Sequence, residues 1–159
     1  MKTTHAVRKG FTLIELLVVI AIIGILSAVV LASLNTARDK GNDAGVKANV
    51  DTIATQAALY YSNSNNSYGT QAVGACPTPA APGTGLFSDA TVLAAIASAD
   101  SDNGTGGTSC AAGDTTYAVS VARTAGSPSA YWCNDSTGVK CGTAADISGP
   151  VCGACTTQN

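Results

Sequence analysis

Glu15 is the only glutamate in this chain, and it lies near the start of the only long apolar stretch. The residues that follow it, Leu16 to Leu34, include no charged side chain. On insertion scales a carboxylate at bilayer depth costs about 2.5–3.5 kcal/mol, so such a residue usually has a dedicated partner. Glu15 is therefore the first functional-site hypothesis, and its chemistry is the pairing of a charge in apolar surroundings.

The element that must position Glu15 is the apolar run from Phe11 to about Leu34. As a helix this run is about 36 Å long, which is enough to cross a bilayer. Three basic residues and no acid lie in the first ten positions, which predicts a cytoplasmic N-terminus and an exported C-terminal part. The alternative is a secretory signal cleaved near Ala32, but such signals have a shorter apolar region and Glu15 argues against one.

The residues around Glu15 resemble a known signal. The run Lys9-Gly10-Phe11-Thr12-Leu13-Ile14-Glu15 is similar to the class III signal of type IV pilins and of the pseudopilins of type II secretion. The likeness continues along the apolar run to Ser27 and covers about 25 residues closely. A basic residue, a glycine, a phenylalanine, a glutamate four positions later and an apolar helix form a very specific pattern.

The resemblance implies processing and assembly roles for three residues. A membrane-embedded prepilin peptidase would cut between Gly10 and Phe11, and Phe11 would become the N-methylated new N-terminus. Glu15 would pair with the N-terminal amine of a neighbouring subunit and so align the incoming copy. Because a slip of one residue leaves both charges unpaired, the pair favours register as well as association. The alternative is a Glu15 side chain that reaches the membrane interface without a partner.

The helix is predicted to continue beyond the membrane. An apolar stripe at steps of three and four residues lies on one helical face and consists of Val46, Val50, Ile53, Ala57 and Tyr60. There are too few heptads for a coiled coil to be the leading interpretation. The predicted organisation is a leader peptide at 1–10, a transmembrane or filament-core helix at 11–35, its amphipathic continuation at 36–61 and a disulfide-supported head domain at 62–159.

The head domain is predicted to add a short helix and a small antiparallel sheet. Asp89 begins a helix that extends to Ser98, with Ser88-Asp89 as the N-cap, and a loop follows from Asp100 to Ser109. The segment 116–122 alternates like a strand, and the segments 130–133 and 139–141 flank a hairpin turn. The fold class is therefore α+β, with a long N-terminal hydrophobic helix packed by its C-terminal half on a small antiparallel sheet, as in type IV pilins.

Six cysteines lie downstream of the apolar run and indicate a disulfide framework in an exported domain. They are Cys76, Cys110, Cys133, Cys141, Cys152 and Cys155. Six cysteines allow 15 pairings, which the sequence leaves open. The working assignment is Cys76 with Cys110 and Cys133 with Cys141, and it leaves Cys152 and Cys155 as a close pair. Zinc binding or free thiols are the weaker alternative, because a single CxxC without a downstream histidine is a poor zinc pattern.

Charge and residue types disfavour several functions. Beyond Asn35, nine aspartates outweigh five basic residues, and the resulting charge of about −4 argues against general binding to nucleic acid. A local basic patch around Arg123 and Lys140 stays open. The only histidine, His5, falls in the predicted leader, and no catalytic site or cofactor is predicted. The segment 100–104 has some calcium-ligand character, but it lacks the EF-hand pattern and a bare turn is the better interpretation.

The resemblance leads to a structural subunit of a type IV pilus rather than to an enzyme. Many copies would bundle their helices into a helical homo-oligomeric filament, assembled by an inner-membrane platform and an ATPase. The precursor would reside in the inner membrane, and the filament would lie on the extracellular surface. Alternatives within the same family are a type II secretion pseudopilin and a minor or competence pilin. Alternatives from other classes are an exported enzyme and a membrane-anchored binding domain, and the latter predicts no cleavage after Gly10.

Overall fold

The computed structural model describes residues 10–104, 107–123 and 129–158. The helices are α1, Leu13–Asn63, and α2, Ala90–Asn103, and a 3-10 turn, Gly85–Ser88, precedes the second helix. The strands are β1, Gln71–Ala75; β2, Thr108–Ala112; β3, Tyr117–Ala122; β4, Tyr131–Asp135; β5, Lys140–Thr143; and β6, Cys155–Gln158. The chain divides into two compact units, with the boundary between Arg38 and Asp39. Apart from Gly10, the predicted leader lies outside the described residues.

Helix α1 confirms the predicted helix and its continuation beyond the apolar run. It stops in a polar stretch of serines and asparagines. There Asn65 and Asn66 adopt positive φ values of 52° and 58°, and the Asn66 N–H donates to the Tyr61 carbonyl oxygen at 3.0 Å. Asparagine tolerates the left-handed region better than most residues, so this stretch closes the helix C-terminus.

In the second unit, α1 packs one face against the rest of the domain. The predicted stripe is confirmed: Val46, Val50, Ile53 and Ala57 are fully buried, and Tyr60 is partly buried against the same core. The large apolar side chains that the other elements bring to this core include Leu86, Phe87, Val92, Ile96, Val119, Val121 and Trp132. Burial of the stripe is the favourable term that orders this half of the helix, because tertiary packing contributes more to helix stability than propensity does.

The sheet is a six-stranded antiparallel meander in the order β1-β2-β3-β4-β5-β6, so each strand pairs with its sequence neighbour. Alternate residues of β3 serve two faces: Val119 belongs to the core under α1, and Ala118 to a cluster on the other face. Strands β4 and β5 form the predicted hairpin, with Gly138 at φ 84° in its turn. Strands β1, β2 and β6 are absent from the sequence prediction, because they are four or five residues long and rich in small residues.

Helix α2 begins where the N-cap pattern predicts and ends later. The Asp89 side chain accepts hydrogen bonds from two backbone N–H groups of the first turn, at 2.9 and 3.1 Å. The helix continues to Asn103, so the loop expected from Asp100 to Ser109 is wrong in its first part. Ala99 and Asn103 are buried, and their packing extends the helix beyond the point where the polar sequence indicates a stop.

The sheet face that points away from α1 is covered by a segment that we call the C-terminal strap, residues 144–154. Ile147 of the strap is buried in a second, smaller apolar cluster, whose other buried members are Ala111, Ala118 and Cys133. Asp146 fixes the start of the strap, because its carboxylate accepts hydrogen bonds from the hydroxyls of Ser109 and Ser120. The strap is therefore tied to strands β2 and β3.

Cysteine pairing corrects part of the working assignment. The disulfides are Cys76–Cys110, Cys133–Cys152 and Cys141–Cys155. The first is as expected, whereas the pairing of Cys133 with Cys141, and with it the left-over pair, is wrong. The physical reason is the strap. Cys133 and Cys141 lie opposite each other on β4 and β5 and point to the face that the strap covers, so each bonds to a cysteine near the far end of the strap.

Arg123, directly after β3, is held by Asp43 of α1. Its guanidinium forms a bidentate ion pair with the Asp43 carboxylate and donates a further hydrogen bond to the Ser129 hydroxyl at 2.6 Å. Only 4% of the Arg123 side chain is exposed. The guanidinium also lies 5.5 Å from the ring centroid of Trp132, within cation–π range. A bidentate pair has a fixed geometry, so it sets the position of the end of β3 against α1.

The basic patch left open around Arg123 and Lys140 is not a free surface. Arg123 is buried in its pair with Asp43, and the Lys140 Nζ lies 2.7 Å from an Asp51 carboxylate oxygen. The second pair is exposed, with 42% and 55% of the two side chains accessible. Both cations are therefore used to join the sheet side of the domain to α1, and the structure gives no support to nucleic-acid binding through them.

The two ion pairs should differ sharply in their contribution to stability. Asp43→Asn leaves the buried Arg123 guanidinium without its counter-charge, so we expect the free energy of unfolding to fall by about 3–5 kcal/mol. The matched change Asp51→Asn at the exposed pair should cost only about 0.2–1 kcal/mol. Chemical unfolding of the oxidised full chain in detergent micelles measures both values. Equal losses of unfolding free energy in the two variants would contradict the proposal that the buried pair of Arg123 with Asp43 fixes β3 against α1.

Three tyrosine rings pack against one another where α1 ends. The ring centroids of Tyr61 and Tyr68 are 4.6 Å apart, and those of Tyr68 and Tyr117 are 4.9 Å apart. The Tyr117 hydroxyl donates a hydrogen bond to the Asn134 Oδ1 at 2.7 Å. Burial, with smaller contributions from Tyr68 and Asp135, raises the pKa of Tyr117 well above its usual value. The folded state therefore favours the neutral phenol.

Alkaline pH should destabilise the fold through Tyr117. Because its folded pKa is above its unfolded pKa, the stabilisation is complete below about pH 10 and declines above it, by up to about 1.4 kcal/mol per pH unit. Tyr117→Phe should lower stability at pH 7 by about 1–3 kcal/mol, since Asn134 loses its donor. It should also flatten the decline above pH 10. Parallel pH profiles of unfolding free energy for the two proteins would show that another group is responsible.

Candidate functional site

The start of α1 is built by Thr12 and Glu15. Residues 10–12 precede the helix and have no regular secondary structure. The Glu15 Oε2 accepts hydrogen bonds from the Thr12 backbone N–H and from the Thr12 hydroxyl, both at 2.8 Å. In return the Glu15 N–H donates to the Thr12 Oγ1 at 3.2 Å. This reciprocal arrangement is a capping box, which satisfies two donors that the first turn of a helix otherwise leaves open.

Around and beyond this cap, the first unit presents apolar side chains on every side. The exposed fractions range from 83% for Phe11 to 48% for Val19. Beside Glu15, a shallow groove is lined by Phe11, Ile14, Val18 and Val19. A helix that is apolar all round is typical of a membrane span or of the interior of a helix bundle. By length and composition, α1 qualifies as a membrane-crossing helix.

Sequence reasoning placed Gly10, Phe11 and Glu15 at this site but missed Thr12. The structure brings Thr12 and Glu15 into direct contact, whereas Gly10 and Phe11 lie just ahead of the helix with no side-chain contact to the Glu15 carboxylate among the hydrogen bonds described. The signal for Thr12 was available, because Thr-x-x-Glu immediately before an apolar run is the sequence pattern of a capping box.

The acidic segment at the end of α2 is helical and contacts α1. Asp102 accepts a hydrogen bond from the Asn49 side-chain amide at 3.0 Å, and a Cβ at Gly45 would lie 2.5 Å from the same carboxylate. Asp102 is thus turned toward α1 and packs closely on it. Among the described residues, no group of three or more histidine, cysteine or acidic side chains is arranged to hold a metal ion. The bare turn expected for 100–104 is a helix end, and its acidic residues are structural.

Comparison with known proteins agrees with this geometry. Residues 6–31 match the prokaryotic N-terminal methylation motif. Over 60 residues the chain is 50% identical to the type IV wide pilus major component PilA4 of Thermus thermophilus, and this alignment covers 38% of the present chain and 45% of that protein. The chain therefore spans less than half the length of this relative. No solved structure gave a significant match.

The motif and the apolar helix that it opens define a chain of the class that carries the prokaryotic N-terminal methylation signal. Over its N-terminal region the chain is similar to a type IV pilin, and the fold that follows is α+β and pilin-like, with a long apolar helix and an antiparallel sheet.

The capping box should be measurable in the isolated subunit. Thr12→Val removes the hydroxyl that accepts from the Glu15 N–H and donates to its carboxylate, at a cost of about 1 kcal/mol. We expect backbone amides of the first helical turn to exchange about fivefold faster by mass spectrometry in detergent micelles. Thr12→Ser should stay close to the parent protein. Thr36→Val, which removes only a hydroxyl bonded to the Ala32 carbonyl within the same helix, should leave these amides unchanged.

Proposed function

We propose that this chain is the structural subunit of a type IV pilus filament, processed between Gly10 and Phe11 and polymerised through its N-terminal helix. The observation that carries the proposal is the exposed apolar surface of α1 with a single carboxylate at its start. Such a surface is not stable in water and needs either lipid or other helices around it. The membrane meets this need before assembly, and a bundle of identical helices meets it in the filament.

Processing is supported by the backbone at the proposed cleavage point. Gly10 and Phe11 lie ahead of the first helical turn, and 83% of Phe11 is exposed. A peptide bond outside regular structure can enter a protease active site without unwinding of the helix. The membrane-embedded prepilin peptidase is the proposed enzyme, and N-methylation of the Phe11 amine is the proposed second step.

Assembly through Glu15 follows from its unneutralised charge. The donors from Thr12 are neutral, and the apolar run contains no basic residue from Phe11 to Leu34. Thr12 therefore supplies no counter-charge to the carboxylate, and an unpaired charge is costly in such surroundings. The amine created at Phe11 of a neighbouring copy has the opposite charge and the same need. Pairing the two lowers the cost for both and selects one register between copies.

The role proposed is structural rather than catalytic, and its partners follow from it. They are further copies of the chain, the prepilin peptidase, and an inner-membrane platform with its ATPase. A pseudopilin of type II secretion would use the same site, and a minor pilin would as well. The relative is described as a major component of a wide pilus, which favours a pilus. The location of the processed chain separates these roles.

Mass spectrometry of the intact chain tests the proposal, with sheared extracellular material and membranes analysed separately. A chain that begins at N-methylated Phe11 in the sheared fraction is the expected result. The same processed chain found only in membranes would favour the pseudopilin role. A chain that keeps residues 1–10, or one that starts beyond Ala32, would overturn the proposed processing.

Variants at two positions separate the charge from the cap. Glu15→Gln keeps an oxygen that accepts from Thr12 but removes the charge, so the processed subunit should remain in the membrane and the sheared pool should fall by about tenfold or more. Thr12→Val keeps the charge and should reduce the pool much less. Normal filament yield from Glu15→Gln would count decisively against pairing with a neighbouring amine.

A further inference from the structure

Two of the three disulfides join cysteines that are not the nearest available partners. Cys133 and Cys152 are 19 residues apart in the sequence, and Cys141 and Cys155 are 14 apart. Cys133 and Cys141, by contrast, are eight residues apart and face each other directly across the β4–β5 hairpin. The remaining two cysteines form a CxxC pair. Four cysteines allow three pairings, and the observed one is not the pairing with the shortest sequence separations.

Loop closure favours the nearer partners while the chain is still disordered. The closure cost grows as (3/2)RT ln n, so the eight-residue loop is favoured over the 19-residue loop by about fourfold. Hairpins form in microseconds, long before disulfides do. Residues opposite each other in an antiparallel pair have Cα atoms about 4.5–5.5 Å apart, which is within disulfide range. The hairpin therefore presents Cys133 and Cys141 to each other first.

We propose that a Cys133–Cys141 bond forms first and that the native bonds arise from it by thiol–disulfide exchange, so that maturation uses a dithiol–disulfide oxidoreductase as a partner. The place of this step, outside the cytoplasmic membrane, rests on the proposed function. The exchange chemistry itself depends only on the head domain.

The exchange step balances in atoms and electrons. The Cys152 thiolate attacks the Cys133 sulfur, a Cys133–Cys152 bond forms, and Cys141 leaves as a thiolate that takes up a proton. Cys141 and Cys155 are then both thiols. Their union releases two protons and two electrons to the disulfide of the oxidoreductase, which is reduced to a dithiol. If the CxxC pair has already oxidised, a thiolate of the reduced partner must first open it, with no net oxidation.

Docking of the strap supplies the direction of the exchange. The Cys152 N–H donates to the buried Asp135 carboxylate at 2.9 Å, which carries Cys152 to the end of β4. In the final structure Cys133 is fully buried and Cys141 is 1% exposed. Exchange requires access of a thiolate to the sulfur. The Cys133 and Cys141 sulfurs are therefore closed to further exchange once the strap is in place.

Oxidative refolding of the reduced full chain in detergent micelles tests the proposal. Samples are alkylated at intervals and cleaved with trypsin and with a protease that cuts before aspartate. Cleavage after Lys140 and before Asp146 places Cys133, Cys141 and the CxxC pair on three separate peptides. We expect the peptides of Cys133 and Cys141 to be linked first, about fourfold or more in excess over native links, and the native three-peptide product to replace them.

A matched variant and the redox conditions complete the design. In the double variant Cys141→Ser and Cys155→Ser, the Cys133–Cys152 bond should form without a lag. With oxidised glutathione alone, the non-native disulfides of the parent chain should persist. Addition of reduced glutathione or of a bacterial disulfide isomerase should convert them into the native disulfides. Native links as the first product, with the same time course in parent and variant, would overturn the proposal. Because no filament is needed, this result is independent of the pilus assay.

Discussion

Coverage of the apolar side chains of α1 is the constraint on which the rest of the structure depends. In the described part of the first unit the large apolar side chains are exposed, and such a surface needs apolar surroundings. In the second unit a single stripe is covered by the sheet, α2 and the 3-10 turn. Helix α1 therefore has apolar side chains on all sides in its first part and on one face only in its second part.

The part of the chain that covers the stripe has little apolar mass of its own. The whole chain contains two phenylalanines and one tryptophan, and its head domain consists mainly of small residues. A thin core of this kind is usually supported by covalent or ionic links. Here the bidentate pair of Arg123 with Asp43 fixes the sheet against α1, and the strap with its two disulfides closes the opposite face. The ion pair acts at the end of β3, and the two disulfides act on β4 and β5.

Features with a local sequence signal could be predicted, and features that depend on distant pairing could not. The stripe of α1, the Asp89 cap and the β4–β5 hairpin each follow from residues that are close together in the sequence. Strands β1, β2 and β6 are short and acquire their identity only from neighbours in the sheet. The cysteine pairs and the contact of Arg123 with Asp43, 80 residues apart, are set by the topology. Thr12 is the exception, since its pattern was local and was overlooked.

The strap has a consequence for resistance to proteolysis. Residues 144–146, 148 and 151 are exposed, so this is a segment that a protease can reach. The Cys141–Cys155 bond closes a covalent ring around the whole strap, and Cys133–Cys152 forms a second link across most of it. One hydrolysed peptide bond within the strap therefore releases no fragment, and both new ends stay attached to the sheet. A single cut in the strap therefore leaves the head domain covalently whole.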